Sequence, residues 1–345
     1  MTLQQMLGME LPVVQAPMAG VQGSALAIAV SNAGGLGSLP CAMLTPETMR
    51  SELEKIRAQT TRPYNVNFFC HTPPTPDARR EAAWRQVLAP YYAEFGIDPA
   101  TIPTGPGRAP FDAQLADVLS EFKPPVVSFH FGLPAKDLLA RVKSWGAKVL
   151  ASATTVEEAR WLEAQGVDVI IAQGEEAGGH RGIFLSEELT TQVGTFSLVP
   201  QVVRAVKVPV IAAGGIADAR SVAAAMALGA EGVQVGTAYL LCPEATTSAV
   251  HRAALKSEAA RHTALTNLFT GRPARGIMNR IMREVGPMNP KAPAFPLATS
   301  AITPLRAAAE KTGSGDFSPL WSGQNASGCK EIGAAQLTRE LVARL

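Results

Sequence analysis

A (β/α)8 TIM barrel is the fold predicted for this 345-residue chain, on three observations. Short β-branched runs alternate with longer stretches of helical character, the pattern of βα units around a parallel sheet. Eight such runs occur, and an eight-fold repeat closes on itself more readily than it spreads into an open sheet. The last run ends near residue 240, close to the ~250 residues that such barrels usually take.

In order, the runs are Val13–Ala16, Gly35–Ser38, Tyr64–Phe69, Val126–His130, Lys148–Ser152, Val167–Gln173, Val208–Ala213 and Gly232–Gly236. The helical segments between them carry start and stop signals. Thr155 can cap a helix through Gln165 that ends at Gly166, and Asp218 can cap one through Leu228 that ends at Gly229. Two stretches break the repeat. Residues 72–123, after the third run, are too long for one crossover; Glu81–Glu94 reads as a helix ahead of a Pro/Gly-rich loop at Pro99–Pro110. The tail begins as a helical run, then loosens into the Pro-rich segment Pro287–Pro304 and the Gly/Ser-rich segment Thr312–Gly328. The expected organisation is a barrel over residues 1–240, with its insertion, and a C-terminal extension over 241–345 that covers the active-site end.

Composition narrows the function. With 47% hydrophobic and 17% charged residues the chain can bury a large core. Lys and Arg exceed Asp and Glu by only 31 to 29 and are scattered, so the basic stripe of a nucleic-acid binder is missing and a small molecule is the expected partner. Cys41, Cys70, Cys242 and Cys329 form no C-x-x-C pair; reduced, structural thiols are expected, with neither a zinc site nor a dithiol redox site. Residues 1–14 lack a basic, apolar leader, and no apolar run approaches the ~20 residues needed to span a bilayer, so the default location is the cytoplasm. A homo-oligomer is left open.

In barrels of this type the active site lies at the C-terminal ends of the strands, and the loops after the seventh and eighth strands commonly hold a phosphate. The seventh run leads into Ala213-Gly214-Gly215-Ile216 and the eighth into Gln234-Val235-Gly236-Thr237. Glycine lets backbone N–H groups approach a phosphate closely. Gly35-Leu36-Gly37 does not open a dinucleotide fingerprint, because Pro40 stands at the third glycine position and the run follows a helical segment. No Walker-type loop occurs. The sixth run leads into Gln173-Gly-Glu-Glu-Ala-Gly178-Gly179-His180-Arg181-Gly182. A histidine on a glycine-rich loop at a strand's catalytic end can reach a substrate and exchange a proton near neutral pH, which makes His180 the candidate catalytic residue. Glu175 and Glu176 are read either as groups orienting it or as solvated carboxylates. His130, ending the fourth run, reads as a substrate-binding residue at the same mouth or as a satisfied core histidine. His71, His251 and His262 have no such placement.

Together these motifs resemble the class I nitronate monooxygenases, formerly 2-nitropropane dioxygenases. The resemblance spans nearly the whole chain: Gln15-Ala-Pro-Met-Ala-Gly, Tyr64-Asn-Val-Asn-Phe-Phe, Ser128-Phe-His-Phe-Gly, the Gln173–Gly182 stretch, Pro209-Val-Ile-Ala-Ala-Gly-Gly, Gln234-Val-Gly-Thr, and Leu320-Trp-Ser-Gly-Gln in the tail. It implies a non-covalent FMN, with Gly214, Gly215, Gly236 and Thr237 at its phosphate, Gln234 and Val235 in the same eighth-run motif, and Pro17, Met18, Asn67, Gln173 and Gly178 along the isoalloxazine and ribityl chain. It also implies oxidation of an alkyl nitronate, such as propionate 3-nitronate, by O2 to an aldehyde or oxo acid plus nitrite. A nitronate is already an anion, so His180 is expected chiefly to hold the nitro oxygens, with proton abstraction from a neutral nitroalkane the lesser role. No tyrosine follows Tyr239, so any substrate contact from a later phenol is missing, and Phe295 is the aromatic at hand. Two rivals stay open: an NAD(P)H-dependent FMN reductase of enoyl-thioesters or quinones on the same barrel, and a flavin-free phosphate-binding barrel.

Overall fold

The β-branched runs form parallel strands buried on both faces, as a sheet wrapped in helices requires. The computed structural model describes residues 1–103 and 107–345. Its strands are β1 (Val13–Gln15), β2 (Gly37–Pro40), β3 (Tyr64–Phe69), β4 (Val126–His130), β5 (Lys148–Ala153) and β6 (Val169–Gln173). After a two-residue strand outside the barrel, β7 (Gly179–His180), the barrel continues with β8 (Val210–Ala213) and β9 (Gly232–Val235). The eight barrel strands hydrogen-bond in the order β1-β9-β8-β6-β5-β4-β3-β2. A parallel bridge between Val14 and Leu36 closes the ring. β3 and β4 have the expected limits, and the other strands shift by one or two residues, most at β2, because ladder partners decide where a strand ends.

Both expected caps form. Thr155 accepts a hydrogen bond from the Glu158 amide at 3.2 Å ahead of helix Val156–Ala164, and Asp218 accepts from Ser221 at 2.8 Å ahead of helix Ala219–Ala227. Inside the barrel, chemistry changes along the strands. At the N-terminal end, Val14, Leu36, Val126, Leu150, Val169 and Ile211 pack with Leu3 and Leu7 of the first helix, Leu3–Leu7. Further along the strands stand buried polar side chains, Ser38 and Asn65 first, then Gln15, Asn67, Ser128, Ser152 and Gln173 toward the C-terminal end.

The insertion and the tail share a core of their own. Trp84, Leu88 and Tyr92 of helix Ala78–Glu94 pack against Ile302 and Leu305 of helix Ala298–Lys311 and against Phe317. The Tyr92 hydroxyl donates to the Ala301 carbonyl at 2.6 Å, and Arg280 grips Glu94 with two bonds of 2.7 and 2.8 Å. A second insertion helix, Ala113–Phe122, lies where the sequence pattern offers no separate signal, and its Leu115, Val118 and Leu119 join the main core. Residues 104–106 of the expected Pro/Gly-rich loop lie outside the described residues. The tail also holds two strands absent from the sequence expectation, β10 (Thr263–Thr266) and β11 (Ala274–Ile277), which join β7 in an antiparallel three-stranded sheet. Its last helix, Ala334–Leu341, leaves the catalytic end and packs on the barrel flank, where Thr338 meets the Tyr239 hydroxyl at 2.9 Å. Among the described residues no helix is long and apolar enough to cross a membrane, and no cluster of His, Cys, Asp and Glu could hold a metal. The four cysteines are free thiols.

Candidate active site

A cavity of about 190 Å³ opens at the C-terminal ends of the strands. Three kinds of surface line it: the glycine turns after β8 and β9, a polar floor from Asn67, Ser128, Ser152, Gln173 and Gln234, and a wall of Phe69, His180 and Trp321.

At the glycine end, Gly214 and Gly215 take φ of +118° and +72°, backbone that side-chain-bearing residues rarely adopt. Consecutive residues of this kind turn amides into a concave anion seat, and the Gly215 and Ile216 amides have no protein acceptor among the described residues. The tail crosses this end. Asn325 donates to the Gly215 carbonyl at 3.1 Å, the Gly323 amide to Thr237 Oγ1 at 2.9 Å, and the Gln324 amide to the Glu176 carbonyl at 2.9 Å. Gly178 is required by that crossing: a Cβ there would lie 2.5 Å from the Gly323 nitrogen. The Glu176 carboxylate accepts from the Thr195 amide (2.8 and 3.0 Å) and hydroxyl (2.8 Å). Glu175 lies 3.5 Å from Arg275. Neither acid touches His180, so the orienting role offered for them in the sequence is not the one they play.

His180 is held from several directions. Its strand β7 pairs with β11, His180 opposite Ala274. Its carbonyl accepts from Gln173 Nε2 at 3.0 Å and from His130 Nε2 at 3.2 Å. Phe69, Phe131, Phe295 and Trp321 enclose the imidazole at 5.9, 5.8, 5.3 and 5.6 Å between ring centres. Nε2 meets Thr270 Oγ1 at 2.9 Å, and Nδ1 has no protein partner among the described residues. The Thr270 hydroxyl also reaches the Arg272 carbonyl at 3.4 Å. It can therefore accept from a protonated Nε2, or donate to Nε2 when Nδ1 carries the proton. Burial, and then the positive field of Arg108, holds the His180 pKa well below the usual 6.5, so the ring is neutral.

His130 is different. Its Nε2 donates to the His180 carbonyl, so its Nδ1 accepts from the Ser152 hydroxyl at 2.9 Å. Burial pushes its pKa down to about 3. It lines the cavity with both nitrogens committed to protein, so it supports His180 and has no free donor for a substrate. His71 and His251, which sequence position alone leaves unplaced, also reach this region. His71 lies 4.8 Å from Phe295 between ring centres, and His251 lines the cavity while donating to the Trp321 carbonyl at 3.0 Å.

A family model described as nitronate monooxygenase matches residues 1–344. The chain belongs to the nitronate monooxygenase family. It is 44% identical to the nitronate monooxygenase of Pseudomonas aeruginosa, covering 99% of this chain and 98% of that one. To the nitronate monooxygenase of Paraburkholderia phytofirmans it is 42% identical, covering 98% and 93%. Among solved structures it is similar to nitroalkane oxidase from Streptomyces ansochromogenes, with 40% identity and a TM-score of 0.89 over 99% of this chain and 97% of that one. FabK from Thermotoga maritima is similar at 29% identity and a TM-score of 0.72, over 99% and 95%.

In this member of the nitronate monooxygenase family, one cavity gathers Pro17, Met18, Asn67, His130, Gln173, Gly178, His180, Gly214, Gly215, Gln234, Gly236 and Thr237, all read from the motifs. Val235 stands apart, with its side chain in the main core. Sequence position does not reveal Phe69, Arg108, Ser152, Trp321 and Asn325, which also line the cavity, or Thr270 behind His180. For Arg108 the available signal is a cation in a Pro/Gly-rich loop with no acid before Asp112.

Proposed function

We propose that this chain is an FMN-dependent nitronate monooxygenase that oxidises small alkyl nitronates with O2 to an aldehyde or oxo acid and nitrite. The observation that carries the reading is one cavity joining a glycine anion seat to an uncharged, aromatic-boxed His180 with a ring nitrogen to spare. Family membership, the relatives named nitronate monooxygenase and the neighbour titled nitroalkane oxidase support the same chemistry.

The residues present fit FMN. The Gly214–Gly215 turn, with Gly236 and Thr237 beside it, suits a phosphate. Gln234 Oε1 is buried without a partner, an acceptor awaiting a donor from a bound ring. Pro17, Met18, Asn67, Gln173 and Gly178 supply the remaining contacts. When bound, the flavin supplies the electron transfer between nitronate and O2 that no side chain here can perform.

The protein positions and holds charge. A nitronate favours the His180 tautomer with the proton on Nδ1, donated to a nitro oxygen, while Thr270 turns its hydroxyl toward Nε2. A neutral nitroalkane calls for the other tautomer, with Nδ1 as acceptor for the carbon-bound proton and Thr270 accepting from Nε2. A depressed pKa makes His180 a weak base but leaves it a good neutral donor, so preformed nitronates are the better substrates. The aromatic box excludes water from the reacting atoms, which strengthens each of these polar contacts.

The purified protein is expected to be yellow, with the absorption of oxidised flavin. Preformed nitronate should drive O2 uptake and nitrite release, while anaerobic NADH or NADPH leaves the flavin oxidised. A colourless, folded protein supports the flavin-free barrel instead, and rapid bleaching by either nicotinamide supports the reductase.

A further inference from the structure

Arg108 brings a positive charge to the cavity wall, and no carboxylate among the described residues pairs with it. Its guanidinium carbon lies 6.0 Å from the centre of the Phe295 ring, and the His180 ring lies 5.3 Å from the same centre. The two groups share one aromatic wall, and a short molecule can touch both. We propose that Arg108 determines substrate specificity by gripping a carboxylate at the end of the nitronate remote from His180, an inference that rests on the nitronate reading above.

Three other arginines show what is missing. Arg181 spends its guanidinium on Gln192 and on the Gly174 and Gln173 carbonyls, at 3.0, 2.6 and 2.8 Å. Arg275 donates to the Glu175 carbonyl at 2.9 Å and lies 3.5 Å from its carboxylate. Arg272 stacks 4.0 Å above Phe131 and holds the Ile183 carbonyl. Arg108 has no such partner among the described residues: burial and the like charge of Arg306 both act against its protonated form, and no acid offsets them. Thr104, Gly105 and Pro106, outside the described residues, bring no acid either. Its backbone is nonetheless fixed, because His71 Nε2 donates to its carbonyl at 3.0 Å.

A half-buried guanidinium with no partner among the described residues leaves its donors unspent, and a carboxylate answers them with two parallel hydrogen bonds. The carboxylate lining the cavity, Glu176, is spent on Thr195. The partner must arrive with the ligand. An alkyl tail offers the guanidinium nothing, whereas a carboxylated nitronate meets a donor at each end.

The test compares propionate 3-nitronate with propyl-1-nitronate, which has the same three-carbon chain and no carboxylate. Arg108→Met should cut the preference for the carboxylated substrate, read as the ratio of kcat/KM values, by roughly 10- to 100-fold, mainly through KM, the range of a charged hydrogen-bonded contact. Arg108→Lys should retain part of the preference, and rising salt should erode it in wild type. A ratio that moves less than about twofold in Arg108→Met, or two substrates that lose equally, overturns the proposal. Calorimetry with succinate reads the same contact without turnover: wild-type holoenzyme should bind it and Arg108→Met should not. Absence of wild-type binding, or equal binding by the variant, overturns the proposal. If wild type oxidises neither nitronate yet binds succinate through Arg108, the nitronate reading fails and the Arg108 assignment stands.

Discussion

At the N-terminal end of the barrel, Leu3 and Leu7 meet Val14, Leu36, Leu150 and Ile211 in an apolar cluster. Toward the C-terminal end of the same strands, Gln15, Asn67, Ser128 and Gln173 are buried, His130 is half-buried, Gln234 carries an unpaired oxygen, and two adjacent glycines hold left-handed backbone. One end is built for close packing. The other retains unspent hydrogen-bonding groups, which cost stability unless a ligand satisfies them. Stability and chemistry are therefore separated along the strands, as barrels of this class arrange them.

A pair of substitutions can break that comparison. Gly215→Val places a β-branched residue at φ +72° in the anion seat, and should yield folded protein with almost no flavin and no nitronate turnover. Leu150→Ala, in the apolar end, should do the reverse, costing about 2–5 kcal/mol of unfolding free energy while flavin content and kcat persist. Flavin titration and denaturant unfolding of both variants check the contrast. A Leu150→Ala protein that loses flavin in proportion to stability would show the two ends to be coupled.

A smaller effect concerns acid. Burial lowers the pKa of His130 to about 3 and that of His251 to about 4, from an ordinary 6.5. Between those limits each binds fewer protons folded than unfolded, so stability rises with pH and is lost as pH falls through the window. Thermal unfolding followed from pH 7 downward should show Tm dropping below about pH 6.5. The drop should be shallower in His251→Gln, which removes one of the histidines whose pKa burial lowers, and an unchanged slope would place the acid sensitivity elsewhere.

Much of the barrel was legible because its signals are local. Period, β-branched composition and the caps Thr155 and Asp218 act within a few residues of themselves, and the glycine pair needs only its own backbone to declare a turn. The environment of His180 was not legible, because its parts are distant in the chain. Phe69 ends β3 and Phe131 follows β4, Thr270 and Trp321 come from the tail, and Phe295 lies between them in sequence. Strands β10 and β11 gave no signal because Thr263–Thr266 and Ala274–Ile277 are short, mixed in polarity and paired with each other and with β7. His130 reads the same from sequence whether it touches substrate or protein, and only its bonds to Ser152 and the His180 carbonyl separate the two.

His180 is thus assigned to hold an already ionised substrate through the free Nδ1 of an uncharged imidazole. The most direct test is kcat/KM of His180→Ala and wild type on a preformed nitronate, with flavin content measured on the same samples. Removing one donor to a negative charge in a water-poor site is expected to cost roughly 10²–10³ in rate, or about 2.7–4 kcal/mol. A loss of that size with flavin retained is the expected result. A variant that keeps its flavin and oxidises preformed nitronates as fast as wild type, failing only on neutral nitroalkanes, would contradict it and make His180 a base instead.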